Sequence, residues 1–291
     1  MNEGTGPRGI VQRLLAVNAV VVFLFLYAPI LLLVVFSFND NNNVGIWTEP
    51  SLRWYGEMFQ NQDVMSALRN SLIVALLSTV VATVIGTALA ISLERYRYRG
   101  RATLDGLAYL PIIIPDVTMA VMLLIFFFQG FGLLESWFGI RITSGLHTII
   151  LAHIAFCISF VAVVVRARIA QFDSALEDAA ADLYATRWQT FRRVTLPLIA
   201  PGVAGGALLS LTLSLDDVVV TQFVSGAGST TLPVYVFGLV RRGVTPLINA
   251  VSVVMLVASM VLVAISLGFQ RGSAAREKVA TDPDVVWERA N

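Results

Sequence analysis

Three carboxylates, Asp116, Asp216 and Asp217, fall inside long apolar runs of this chain. A charged Asp near the centre of a membrane-spanning helix costs about 2.5–3.5 kcal/mol, and such residues usually face a bundle interior or a water-filled path. Their chemistry there is to attract cations and repel anions in a low-dielectric passage. Asp116 follows Pro111-Ile112-Ile113-Ile114-Pro115. The two prolines remove backbone donors and are expected to break or kink the helix at that point. Asp216 and Asp217 are neighbours, so at about 100° per residue they cannot point the same way. Asp217 falls within the arc swept by Gly202, Gly206, Ser210 and Ser214, and Asp216 lies just beyond its edge. One of the pair is expected to face a path and the other to make a structural hydrogen bond. The competing role for all three is to cap broken helices or hold a subunit interface.

Other chemistry finds little support. His147 and His153 lie six apart, which is not a same-face metal spacing, so packed or interfacial histidines are expected and no metal site is assigned. Cys157 is the only cysteine and sits in an apolar run, which excludes an intramolecular disulfide and points to a packed thiol. The only lysine is Lys278, and there is no G-x-x-x-x-G-K-[ST] to hold ATP. Neither G-x-S-x-G nor H-E-x-x-H occurs. Catalysis by this chain alone is not expected, and if transport is ATP-driven the nucleotide site belongs to another polypeptide. A net charge of +1 implies no bulk attraction to nucleic acid.

The elements that must position the carboxylates are membrane helices. Of 291 residues, 57% are hydrophobic and only 13% charged, and the mean hydropathy is +0.77, which indicates a polytopic membrane protein. Six spans emerge, at about 14–38, 67–93, 106–128, 147–167, 201–224 and 247–269. Each can cross roughly 30 Å of hydrocarbon. They make one domain, 14–269, between short tails at 1–13 and 270–291. The first apolar run has no convincing cleavage site and reads as a retained anchor. With the N-terminus cytoplasmic, fifteen Lys and Arg residues fall on inside segments and four on outside loops. The positive-inside rule then puts both termini in the cytoplasm, together with the polar stretch 172–200. Outside, an amphipathic helix is expected around Leu52–Phe59, and the loop 225–246 is a connector or a dock for an external partner. Ser78, Ala82, Gly86 and Ala90 recur every four positions in the second span, as do Gly202, Gly206, Ser210 and Ser214 in the fifth. Such stripes let helix backbones approach closely.

The stretch 172–200 is the longest polar interruption between two apolar spans. Ser174-x-x-Glu177 has capping-box spacing, and Phe172, Leu176, Ala180 and Leu183 recur at helical spacing, so a short helix over 174–185 is expected. A second helix begins around Arg187, with Trp188 packing on Phe191, and Leu196-Pro197 and Pro201 should break it and turn the chain into the next span. Asp178-Ala179-Ala180-Ala181-Asp182-Leu183, followed by Val194-Thr195-Leu196-Pro197, resembles the coupling motif of ABC-importer membrane subunits. Ser214-Leu215-Asp216-Asp217-Val218-Val219-Val220 is similar to the spermidine/putrescine branch, in particular its C-type subunit. The likeness extends over roughly Leu14–Phe269. Asp178 stands at the motif's usual Glu position, after Glu177, and Tyr184 at its usual Gly position. Tyr tolerates positive φ poorly, which puts the turn there in question.

The resemblance implies an all-α, six-span permease of the type I ABC-importer fold, in a bacterial cytoplasmic membrane. It implies a second permease subunit, two cytosolic ATPase subunits that hold the ATP and Mg, and an extracytoplasmic substrate-binding protein. No cofactor is expected in this chain. Glu177, Asp178, Ala179, Ala180, Asp182 and Tyr184 would meet the ATPase, and Asp116, Asp216 and Asp217 would line a path for a polyamine, a flexible chain of ammonium groups. A different solute, an ion-coupled secondary transporter and a non-transporting scaffold remain as alternatives.

Overall fold

The computed structural model describes residues 7–173, 175–243 and 245–281. Among these, helices dominate: α1 Pro7–Phe36, α2 Arg53–Gln60, α3 Gln62–Arg95, α4 Arg101–Ile113, α5 Asp116–Phe138, α6 Leu146–Ile169, α7 Ala175–Asp182 and α8 Arg187–Thr190. A π turn at Phe191–Thr195 leads into α9 Leu196–Asp216, followed by α10 Val219–Val224, α11 Leu232–Arg242 and α12 Pro246–Thr281. The only β pairing among the described residues is an isolated bridge between Asn39 and Pro50.

Five helical stretches among the described residues are long and apolar enough to cross a membrane: Val11–Phe36, Gln62–Arg95, Asp116–Phe138, Leu146–Ile169 and Arg187–Asp216. α12 covers the sixth expected span, and its portion Pro246–Val261 is apolar. Two expected spans are corrected. The third, 106–128, is not continuous: α4 stops at Ile113, and α5 begins at Asp116 and runs ten residues further, to Phe138. Pro115 supplies no N–H and holds Ile114 extended, which ends one helix and starts the next. The fifth, 201–224, is interrupted at Asp217-Val218. Conversely, Pro197 and Pro201 do not break the chain. Pro197 falls in the first turn of α9 and Pro201 is carried inside it. The π turn just upstream shifts the hydrogen-bond register, with Leu196 N–H donating to the Phe191 carbonyl, so the helix runs on into the span.

The chain forms two compact units. One holds 7–62 and 238–257 of the described residues. Here the loop after α1 is organised by Asn39, whose side chain accepts from Thr48 N–H at 3.1 Å and donates to the Ile46 carbonyl at 2.7 Å. Its backbone carbonyl accepts from Trp54 Nε1 at 2.8 Å. The expected amphipathic helix is α2, which buries Trp54 and Met58, one turn apart.

The other unit holds 63–237 and 258–281 and contains the candidate site. Its core joins Val74 and Ala82 of α3, Ala120 and Phe127 of α5, Ile149, Ala152 and Phe156 of α6, and Val220 and Val224 of α10. A second cluster joins Ala90, Val161, Val165 and Ile199, so α3, α6 and α9 meet again further along. Both small-residue stripes lie at this junction: Ser78, Ala82, Gly86 and Ala90 are buried, as are Gly206, Ser210 and Ser214. The loop after α10 is a tied connector. Asn70 Nδ2 donates to the carbonyls of Gly228 and Thr230, and Gly226 lies so close to the Ser144 carbonyl that no side chain fits there.

Candidate functional site

Two helix breaks bring the predicted carboxylates together. Ile114 and Pro115 are extended between α4 and α5, with ψ of 131° and 138°. Asp116 therefore opens α5, where the free amides of a helix start favour an anion. Asp217 is extended in the same way at the end of α9, with ψ of 126°. Its carboxylate turns forward to cap α10: Val220 N–H donates to Oδ1 at 3.2 Å, and Thr221 N–H and Oγ1 donate to Oδ2 at 2.7 and 2.8 Å. α10 packs on α5. A cavity of about 240 Å³ lies at the junction, lined by Pro111, Asp116, Met119, Phe156, Phe160, Leu213, Asp216, Asp217, Val218, Val219 and Val220.

All three carboxylates named from the sequence thus share one cavity, but in different states. Asp116 and Asp216 are exposed and make no hydrogen bond or ion pair among the described residues. Asp217 spends its acceptors on α10, and its side chain is only 12% exposed. Behind it stands His153, fully buried, with Nε2 3.3 Å from Asp217 Oδ2 and 3.0 Å from Thr221 Oγ1. Because the Thr221 hydroxyl gives its proton to Asp217, it can only accept from the imidazole, so Nε2 is the donor. Nδ1 meets Ser214 Oγ at 2.7 Å, and Ser214 Oγ meets Ser78 Oγ at 3.1 Å. The chain Asp217–His153–Ser214–Ser78 therefore ties α10, α6, α9 and α3 into one polar frame.

His153 is packed, as its sequence context implied, but it is also part of the site, which the sequence reading did not assign. Its partners lie 61 and 68 residues away, beyond any local pattern. The available signal was its helical face: His153, Phe156 and Phe160 follow at spacings of three and four, and both aromatics line the cavity.

The second candidate region is the hairpin of α7 and α8. α7 ends in two bonds, Ala185 N–H to the Ala180 carbonyl at 3.0 Å and Tyr184 N–H to the Ala181 carbonyl at 2.9 Å. This is a Schellman turn, which needs a left-handed residue at the position Tyr184 holds. Tyr184 adopts it, with φ of 60°, and is the one non-glycine residue at positive φ among those described. The turn is therefore kept despite the missing glycine. α8 is opened by a reciprocal cap, Gln189 N–H to Thr186 Oγ1 and Thr186 N–H to Gln189 Oε1. The cap read at Ser174–Glu177 lies outside the described residues at Ser174. Trp188 stacks on Phe191, ring centroids 5.6 Å apart, as expected.

Of the residues assigned to this region, Asp178, Ala179, Asp182 and Tyr184 are exposed and Ala180 is half-buried. Leu183 and Tyr184 are 82% and 95% exposed, an apolar tip that none of the described residues covers. Glu177 is different: its side chain turns inward, and Oε1 accepts from Thr195 Oγ1 at 2.6 Å and from Arg95 at 3.2 Å.

Comparison with known proteins agrees with this architecture. The family model for the binding-protein-dependent transport system inner membrane component matches residues 82–279. The chain is 43% identical over 238 residues to the putrescine transport system permease protein PotI of Escherichia coli K12, covering 80% of this chain and 82% of that protein. It is 39% identical over 246 residues to the spermidine/putrescine transport system permease protein PotC of Haemophilus influenzae, covering 84% and 92%. Its fold matches the crystal structure of a bacterial ABC transporter involved in import of the acidic polysaccharide alginate, with a TM-score of 0.75 and 22% identity over 91% of this chain and 96% of that one. The chain belongs to the family of binding-protein-dependent transport system inner membrane components, the membrane-spanning permeases of ABC importers.

Proposed function

We propose that this permease carries short polyamines, of the putrescine and spermidine class, through the cavity between its two broken helices. The observation that supports it is the state of the carboxylates. Asp116 and Asp216 are unpaired and accessible in one cavity, and Asp217 adds its charge from the wall. Unpaired carboxylates in an apolar setting are costly, and a passing ammonium group offsets that cost. Two or three such charges attract a divalent or trivalent cation, yet a cavity walled otherwise by Val, Leu, Phe and Met holds it weakly enough to release it. The relatives named for putrescine and spermidine transport agree with this cargo.

Working units in this scheme are a second permease subunit, two cytosolic ATPase subunits that bind ATP and Mg, and an extracytoplasmic binding protein that delivers cargo. This chain contributes half of the path and no nucleotide site. Asp178, Ala179, Asp182 and the Leu183–Tyr184 tip meet the ATPase, on the cytoplasmic side. Closure of the ATPase pair pushes α7, the bundle opens outward, and hydrolysis resets it. A stiff hairpin suits that role, and the Schellman turn, the Thr186–Gln189 cap and the Trp188–Phe191 stack supply the stiffness. Copurification with partner subunits, reconstitution into proteoliposomes and assay of ATP turnover against a panel of solutes tests the proposal. Putrescine or spermidine should stimulate turnover and be taken up. Stimulation by an anionic or neutral solute alone would overturn the assignment of cargo.

A further inference from the structure

α7 buries none of its residues, so a push on it must reach the membrane helices through a small number of contacts. Glu177 is the polar one. Its Oε1 is held by Thr195 in the π turn and by Arg95, the last residue of α3. Arg95 also lies over the Phe172 ring at 4.8 Å, and its Nε is buried without an acceptor, so Glu177 is its one anionic partner among the described residues. The neighbouring Glu94 points elsewhere, to Arg166 Nε on α6 at 2.7 Å. Arg166 then uses Nη1 on Asp105 of α4 and lies over Tyr109, one turn further along the same helix. α4 itself buries only Ala108. Two residues beyond Tyr109, Pro111 is in the cavity wall, and the 114–115 break and Asp116 follow.

We propose that the pair Glu177–Arg95 and the set Glu94–Arg166–Asp105, joined through the adjacent residues 94 and 95 at the end of α3, form a relay that passes displacement of α7 to α4, and so to the wall of the carboxylate cavity. The proposal rests on the transport reading above and adds to it how the stroke is conveyed within this subunit. These are positioning residues; none touches cargo. Ion pairs suit the task because charge-assisted hydrogen bonds are short and directional, so each holds its partner in one geometry. Both ends lie on helices that bury little of their own surface, none of the residues of α7 and only Ala108 of α4. Glu177 thus acts within the chain, and the exposed Asp178 beside it is left for the ATPase.

The test uses the complete reconstituted transporter and reads the ratio of ATP hydrolysed to cargo imported. Glu177→Ala and Asp105→Ala remove opposite ends of the relay on two different helices. Each should raise the ratio at least fivefold while ATP turnover continues. The double variant should be no worse than the worse single, because cutting a serial link twice changes nothing further. Independent structural defects would instead multiply, as separate sites usually add in free energy. Glu177→Gln and Asp105→Asn keep shape without charge, so if an alanine variant fails to assemble they report in the same direction with a smaller rise. A ratio within twofold of the unmodified complex in all variants, or multiplicative effects in the double, overturns the relay. An unmodified complex whose ATP turnover ignores every polyamine would bring down the transport reading itself, a result separable from variants that simply stay coupled.

Discussion

Gly86 of α3 lies against Val161 of α6 so closely that a Cβ on Gly86 would sit 2.8 Å from the Val161 Cβ and 2.8 Å from the Ile158 carbonyl oxygen. Gly206 of α9 approaches the same Val161 from its own helix, with a Cβ there meeting the Val161 Cα at 3.3 Å. Val161 is thus the common contact of two glycines on two helices. Gly86→Ala must move backbone and should cost about 1–3 kcal/mol, the range for overpacked sites. Gly206→Ala needs a shift of only a few tenths of an ångström and should cost less. Thermal unfolding in detergent checks the order: a larger drop in Tm for Gly86→Ala than for Gly206→Ala.

The two stripes of small residues were legible because packing faces in membrane helices repeat every four positions, and that period is in the sequence. The helix break at Pro115 was legible for a similar reason, since a missing N–H acts locally. The break at Asp217 was not. Nothing around Leu215 to Val219 forbids a helix, and the interruption follows from a side chain capturing the amides of Val220 and Thr221. The sequence leads to the expectation that one of Asp216 and Asp217 makes a structural hydrogen bond, and Asp217 makes it. That it is Asp217 depended on His153 and Thr221, brought close only by the fold. Likewise Glu177 looked like an outward contact beside Asp178, and Arg95, 82 residues away, turns it inward.

Asp217 and Asp216 should separate cleanly on substitution. Asp217→Asn replaces one acceptor oxygen with an amide facing donors from Thr221 and His153. It should cost about 1–2 kcal/mol, because a donor then faces donors at one end of the α10 cap. Asp216→Asn breaks no bond within the described residues and should leave Tm within about 1 °C, since surface changes usually stay small. His153→Ala should also lower Tm, because it removes a partner of both Ser214 Oγ and Thr221 Oγ1 and leaves a buried void. Thermal unfolding of the three variants reads this directly, and equal losses from Asp216→Asn and Asp217→Asn would contradict the assignment.

Tyr184 holds a left-handed backbone that costs an L residue roughly 1–2 kcal/mol. Its side chain is almost wholly exposed and recovers none of this within the chain. Tyr184→Gly should therefore strengthen the turn, and hydrogen exchange at the Ala185 amide, which bonds the Ala180 carbonyl, should slow about fivefold. Thr186→Ala removes the cap that opens α8 and should act oppositely, by about 1 kcal/mol. In the assembled transporter Tyr184→Gly also removes an exposed ring from the tip that we propose meets the ATPase. Weaker ATPase binding despite a firmer turn would show that this ring is kept for contact rather than for the fold.

Asp116 and Asp216 are the accessible charges of the cavity, and their neutralisation should scale with the charge of the cargo. A carboxylate about 4 Å from an ammonium group contributes about 1 kcal/mol in a water-like medium and about 4 kcal/mol at an effective dielectric of 20. The cavity is open enough for the lower part of that range, so each of Asp116→Asn and Asp216→Asn should raise the KM for uptake about five- to tenfold. The double variant should lose more for a trivalent than for a divalent polyamine, because each removed carboxylate attracted three positive charges rather than two. Binding-protein affinity is untouched by these changes, so the effect must appear in transport by the complex and not in cargo binding by the soluble partner. Uptake of labelled putrescine and spermidine by paired proteoliposome preparations reads both numbers, and equal losses for the two cargoes would mean that the carboxylates act on folding or assembly rather than on the passing cation.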